Sequence, residues 1–157
     1  MPVIPKALGI DYGDARIGVA VSDALGMLAH PVETITRAKH PSPVRRVAEL
    51  AAHHAASIVV LGLPLRLDGS EGDAVAKVKA FAAKLQDLLP AETSIVYVDE
   101  RLTTVQAQAD LRHAGKNARE TKGMIDQAAA TIILQDWLDQ QNGPQSLLLP
   151  DPWRDES

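Results

Sequence analysis

A chain of 157 residues, 46% hydrophobic and with a mean hydropathy near zero, has the size and composition of one globular domain. Its formal net charge of -4 excludes a bulk attraction to polyanions, so any contact with nucleic acid must come from local basic patches. The absence of cysteine excludes disulfide and thiol chemistry, and leaves carboxylates and five histidines as metal donors. With no uninterrupted apolar run long enough to span a bilayer, and no basic segment leading into an apolar core at the start, the expected address is cytoplasmic, without membrane contact.

Residues 6 to 21, KALGIDYGDARIGVAV, read as two apolar strands joined by a turn at Gly13 and Asp14. A third extended piece is expected from Met27 to Ile35, where Pro31 argues for an edge position. Between Pro43 and Ala56, Val44, Val47, Leu50 and Ala51 recur at helical spacing with charges between them. Ser57 to Leu61 is a continuous β-branched and aliphatic run, as expected of a strand buried on both faces with parallel neighbours. After the loop residues Pro64, Asp68, Gly69 and Gly72, Val75, Val78, Ala82, Leu85 and Leu89 mark a helix that Pro90 stops. A second buried strand is expected at Ser94 to Val98, then a helix through Leu111 that ends near Gly115, and a last helix from Met124 to Gln140. Three strands, then alternating helices and strands, predict one mixed α/β sheet covered by helices over residues 1–142, followed by an aperiodic, mobile tail over 143–157.

Three carboxylates stand where chemistry is expected. Asp11 ends an apolar strand, where a carboxylate is costly to desolvate unless a positive charge meets it; an ordinary turn aspartate is the bland alternative. Glu100 follows the second buried strand, at the carboxyl end where open α/β sheets place their ligands; a solvated Asp99-Glu100-Arg101 group capping the next helix is the alternative. Asp126 precedes the small apolar run 128–134, which can press closely on a sheet; the alternative is a favourable anion in a first helical turn. Together the three would supply hard oxygen donors for Mg²⁺ or Mn²⁺, the ions that activate water on phosphodiesters.

The histidines lack zinc-helix spacing, and no Walker loop or dinucleotide fingerprint is present. Arg112, Lys116, Arg119 and Lys122 form a basic run just before Asp126 that could contact phosphates, and Arg37, Lys39, His40, Arg45 and Arg46 form a second group; solvated surface charge is the alternative for both.

The combination of LGIDYGDARIGVAVSD at 8–23, VVLGLPLRLDGSEG at 59–72, VDERLTT at 98–104 and DQAAA from Asp126 resembles the YqgF/RuvX family over nearly the whole chain. That family is described both as pre-16S rRNA nucleases and as Holliday junction resolvases, and is similar in fold to ribonuclease H and to the resolvase RuvC. The resemblance implies a five-stranded mixed sheet, three antiparallel strands then two parallel, with Asp11, Glu100 and Asp126 as metal ligands. It further implies Arg16 and Arg101 as phosphate or carboxylate partners, with a salt bridge to Asp99 or Glu100 as the structural alternative. RuvC carries its second acid on the fourth strand; here that strand reads Val60-Leu61-Gly62, and the role passes to Glu100.

The expected activity is metal-dependent endonuclease cleavage of structured nucleic acid, either an rRNA precursor or branched DNA. The competing classes are a sugar-kinase-like phosphate loop, which needs a second lobe that this length does not supply, and a catalytically silent nucleic-acid binder. Monomer and homodimer are both open.

Overall fold

The computed structural model describes residues 4–100 and 118–143, with side chains in the last helix described from Asp126 onward. The expected helix through Leu111, the tail from 144, and Arg101, Arg112 and Lys116 fall outside the described residues. Five strands form one sheet: β1 (Ala7–Tyr12), β2 (Arg16–Ser22), β3 (Ala29–Thr36), β4 (Ile58–Leu63) and β5 (Ser94–Asp99). The spatial order is β3-β2-β1-β4-β5. β1 is antiparallel to β2, and β2 to β3, whereas β1–β4 and β4–β5 are parallel. This is the ribonuclease H-like mixed sheet that the motifs imply.

Helices α1 (Pro43–His53) and α2 (Asp73–Leu88) cover one face, and α3 (Ala118–Gln141) covers the other. Ser42 caps α1 by accepting from the Arg45 amide at 3.3 Å, with Pro43 in the first turn, where a missing N–H costs nothing. Strand alternation divides the aliphatic residues between two cores. Leu8, Ile10, Val59 and Leu61 point to α1 and α2, while Ala7, Val60 and Val98 meet Ile133, Leu134 and Leu138 of α3. Each of those three α3 side chains is fully buried and contributes about 1.5–3 kcal/mol of apolar transfer.

Three expectations are corrected. β5 is an edge strand, last in the sheet order, with Ser94, Tyr97 and Asp99 exposed and Val98 buried, so it is not a second fully buried strand. The last helix starts by Ala118 and not at Met124, which places residues 118–122 in helix and not in a linker. Asp126 is therefore two turns inside the helix, and its position owes nothing to a first-turn dipole. Pro31 does lie on the edge strand β3, opposite Ala20, beside a register shift between Val19 and Ala20.

Candidate active site

The site is set by one lateral row across the sheet. Asp11 on β1 pairs directly with Gly18 on β2, and Gly62 of β4 lies one step beyond the Ile10–Leu61 pair on the other side. Residues opposite one another in neighbouring strands share a face, and here that face is the one covered by α3. The row thus reads glycine, aspartate, glycine, with strands about 4.8 Å apart.

Each glycine makes room for an acid. A Cβ on Gly18 would come within 1.9 Å of the Asp126 carbonyl oxygen, so α3 lies directly on β2 at Asp126. A Cβ on Gly62 would meet Glu100 Oε2 at 2.3 Å and Ile133 Cδ1 at 2.5 Å. The chain leaving β5 therefore brings the Glu100 carboxyl back over β4, the strand that lacks an acid of its own. The backbone fixes this return, since the Glu100 amide donates to the Leu63 carbonyl at 3.2 Å.

Asp11 and Glu100 share a side-chain hydrogen bond, and Glu100 is 9% exposed. Burial pushes the Asp11 carboxyl up to about 6, with the nearby Asp126 charge adding to the rise and the bond to Glu100 opposing it. Asp126 is also raised, chiefly by burial, while Arg16 holds it down through an Nε to Oδ2 hydrogen bond of 2.7 Å. Arg16 thus pairs with Asp126, and not with Asp99 or Glu100 as the structural alternative had it.

Among the described residues no three Asp, Glu or His side chains are gathered closely enough to enclose one ion. The structure brings Asp11 and Glu100 into contact and sets Asp126 beside them, drawn toward Arg16. Arg119 and Lys122 belong to α3, but their side chains are not among those described. The role of Gly18 as a seat for Asp126 escaped the sequence reading. The signal was a glycine midway along a strand, which marks a close backbone approach.

The family model described as RuvX: Holliday junction resolvase matches residues 5–140. A protein of Crocosphaera subtropica named "Putative pre-16S rRNA nuclease" is 44% identical over 136 residues, covering 87% of this chain and 94% of its own. A relative of the same name from Nocardia farcinica is 47% identical over 143 residues, covering 87% and 79%. Among solved structures, T. thermophilus RuvC in complex with a Holliday junction substrate is similar in fold, with TM-score 0.53, 16% identity and coverage of 89% of this chain and 97% of that one. Fowlpox virus resolvase with its Holliday junction DNA gives TM-score 0.56 at 11% identity, covering 88% and 99%. Motifs, sheet topology and family match agree: this chain belongs to the RuvX family.

Proposed function

We propose that the protein is a metal-dependent endonuclease that hydrolyses phosphodiester bonds in structured nucleic acid, with processing of the pre-16S rRNA 5′ end as its task. The observation that carries this reading is the gathering of Glu100, from beyond β5, and Asp126, from α3, about Asp11 of β1, over the glycines that flank it on β4 and β2. It crowds carboxylates into a buried space where burial, with the nearby Asp126 charge, raises Asp11 to about 6. A buried all-oxygen donor set fits Mg²⁺ or Mn²⁺. Asp11 and Glu100 would hold the ion, with Asp126 joining on release from Arg16. Bound there, it would supply Lewis acidity to the attacking water and the leaving oxygen.

The chain's own residues hold this arrangement in place. Gly62 seats Glu100, Gly18 seats α3, and Arg16 compensates Asp126. Relatives at 44–47% identity carry the pre-16S rRNA name and support the RNA substrate, whereas the likeness to junction-bound resolvases is one of fold. Cleavage of a four-way DNA junction is the second reading, favoured by the description of the family model.

The test is cleavage of a 5′-extended 16S precursor RNA and of a four-way DNA junction, with Mg²⁺ or Mn²⁺, by wild type and by Asp11→Asn, Glu100→Gln and Asp126→Asn. Loss of most activity in each variant, with the fold intact, is expected. Near-wild-type cleavage by any one removes that residue from the ligand set. Binding without cleavage by the wild type under all conditions would leave the silent binder as the correct reading.

A further inference from the structure

On the opposite sheet face, but at the same end of β1, a cavity of about 330 Å³ opens between α1 and α2. Tyr12, Arg37, Ser42, Lys77, Phe81 and Lys84 line it. A second cavity of about 210 Å³, bounded by Gly13, Asp14 and Pro64, shares Tyr12 and Lys77 with the first. The two form one groove that begins at the residue after Asp11 and runs down the side of α2.

We infer that this groove binds a second stretch of the sugar-phosphate backbone of the nucleic-acid substrate, through Arg37, Lys77 and Lys84, as the strand passes over the β1–β2 turn away from the acids. The inference rests on the nuclease reading for the identity of its ligand. The Arg37 guanidinium is held in place, donating from Nη1 to the Tyr12 hydroxyl at 2.6 Å and to the Gly13 carbonyl at 3.2 Å, with its carbon 5.0 Å from the Tyr12 ring centre. A planar, pre-oriented guanidinium suits phosphate better than a freely moving one.

Lys77 and Lys84 lie seven residues apart on one stripe of α2, about 10 Å along the axis, so an extended polyanion suits them better than a single phosphate. Both are exposed. Lys84 makes no ion pair among the described residues. Lys77 meets Asp14 at 3.2 Å with both side chains more than half exposed, a weak pair that a phosphate can displace. In a chain of net charge -4 this convergence of three cations on one groove is a local reversal of sign. Of the other basic group near α1, Arg46 is engaged by Glu33 and Glu49.

The experiment measures binding of a labelled RNA hairpin with a single-stranded 5′ extension, and of a four-way DNA junction, against salt concentration. The full chain carries Asp11→Asn throughout, so that binding is read whether or not the protein cleaves. Adding Lys77→Ala with Lys84→Ala should weaken binding of all sequences alike, and should flatten the log-log salt slope by about 1.4 for single strands and about 1.8 for duplex. Lys77→Arg with Lys84→Arg should keep the slope, and so should Lys79→Ala, whose side chain pairs with Glu71 on another face of α2. Equal slopes for the alanine pair overturn the groove as a phosphate track. An equal loss in the arginine pair or in Lys79→Ala overturns it too, by showing a structural or a diffuse charge effect. Failure of the nuclease reading would appear separately, as absence of cleavage by the chain with Asp11 intact.

Discussion

Arg16 and Asp126, 110 residues apart in sequence, meet through an Nε to Oδ2 bond of 2.7 Å that ties the start of β2 to α3 above it. The Asp126 side chain is 16% exposed and its carboxyl is raised by burial, so the guanidinium is what keeps an anion tolerable there. Arg16→Ala should therefore destabilise the metal-free protein by about 1–2 kcal/mol, a drop of a few degrees in melting temperature for a chain of this size. Arg16→Lys should recover part of it, since an ammonium supplies the charge without the fork. Thermal unfolding of the three proteins checks this, and an unchanged midpoint for Arg16→Ala would mean that the pair contributes no more than a surface contact.

Asp11 gives a pH dependence whose sign follows from its pKa. Folded, the carboxyl titrates near 6 against an ordinary 3.8, so between those values the folded state holds the proton more tightly than the unfolded chain. Asp11's contribution is fully present below about pH 3.8 and is lost as pH rises through about 6, a swing of about 3 kcal/mol. Asp11→Asn has no such proton to lose, and its amide can still donate to Glu100. The variant should match or exceed wild type in metal-free stability at pH 7.5, with a smaller decline between pH 4 and 6.5. Denaturant unfolding across that range measures it, and parallel curves for the two proteins would refute the assignment.

The sheet was legible because β-branched runs and turn glycines mark strands locally, and the order of elements leaves few topologies. Asp11 and Glu100, which the fold brings into contact, stood out as candidates because a carboxylate at the end of an apolar strand is costly to desolvate. The edge character of β5 was not, since its run Ser94 to Val98 is aliphatic enough to pass for buried and exposure depends on the strand order. The start of α3 was missed because Gly123 reads as a break, whereas the helix continues through it. A carboxylate partner for Arg16 was legible, but its identity as Asp126 was not, because nothing local tells a side chain on β2 that α3, and not β5, lies above it. The groove cations were scattered over sequence, with Arg37 in one basic run and Lys77 and Lys84 on a helix face, and only the packing of α1 against α2 gathers them.

The glycine row gives a steric prediction. Gly18→Ala places a methyl 1.9 Å from a backbone carbonyl, which cannot rotate away, so α3 must lift from β2. Gly62→Ala meets the Glu100 carboxyl and the end of Ile133, both side-chain atoms with some freedom to move. Gly18→Ala should cost the fold about 3 kcal/mol or more and Gly62→Ala about 1–3 kcal/mol. Gly62→Ala should also displace Glu100 and lose catalysis beyond what its stability loss explains. Comparing melting temperature with cleavage rate at a temperature where both variants are folded separates the effects. Equal stability losses would mean that the helix, too, can yield.

The last prediction concerns the metal. Burial, with a smaller push from the Asp126 charge, raises Asp11 to about 6, and a divalent cation that binds the folded chain alone stabilises it by mass action. At a hundred times its dissociation constant the gain is about 2.7 kcal/mol, or roughly 5–10 °C in melting temperature for a chain of this length. Mn²⁺ and Mg²⁺ should each raise the midpoint at pH 7.5, and Ca²⁺, larger and less demanding in geometry, offers a comparison. The gain should shrink as pH falls through about 6, because a protonated Asp11 must give up its proton before its carboxylate can bind a cation. Asp11→Asn and Glu100→Gln should each abolish most of it, whereas Arg16→Ala should enlarge it by freeing Asp126 for the cation. Thermal unfolding with and without millimolar Mn²⁺, at pH 5.5 and 7.5, reads all of these shifts. A wild-type midpoint that ignores Mn²⁺ at pH 7.5 would rule out a metal site at these acids, whatever the protein cleaves.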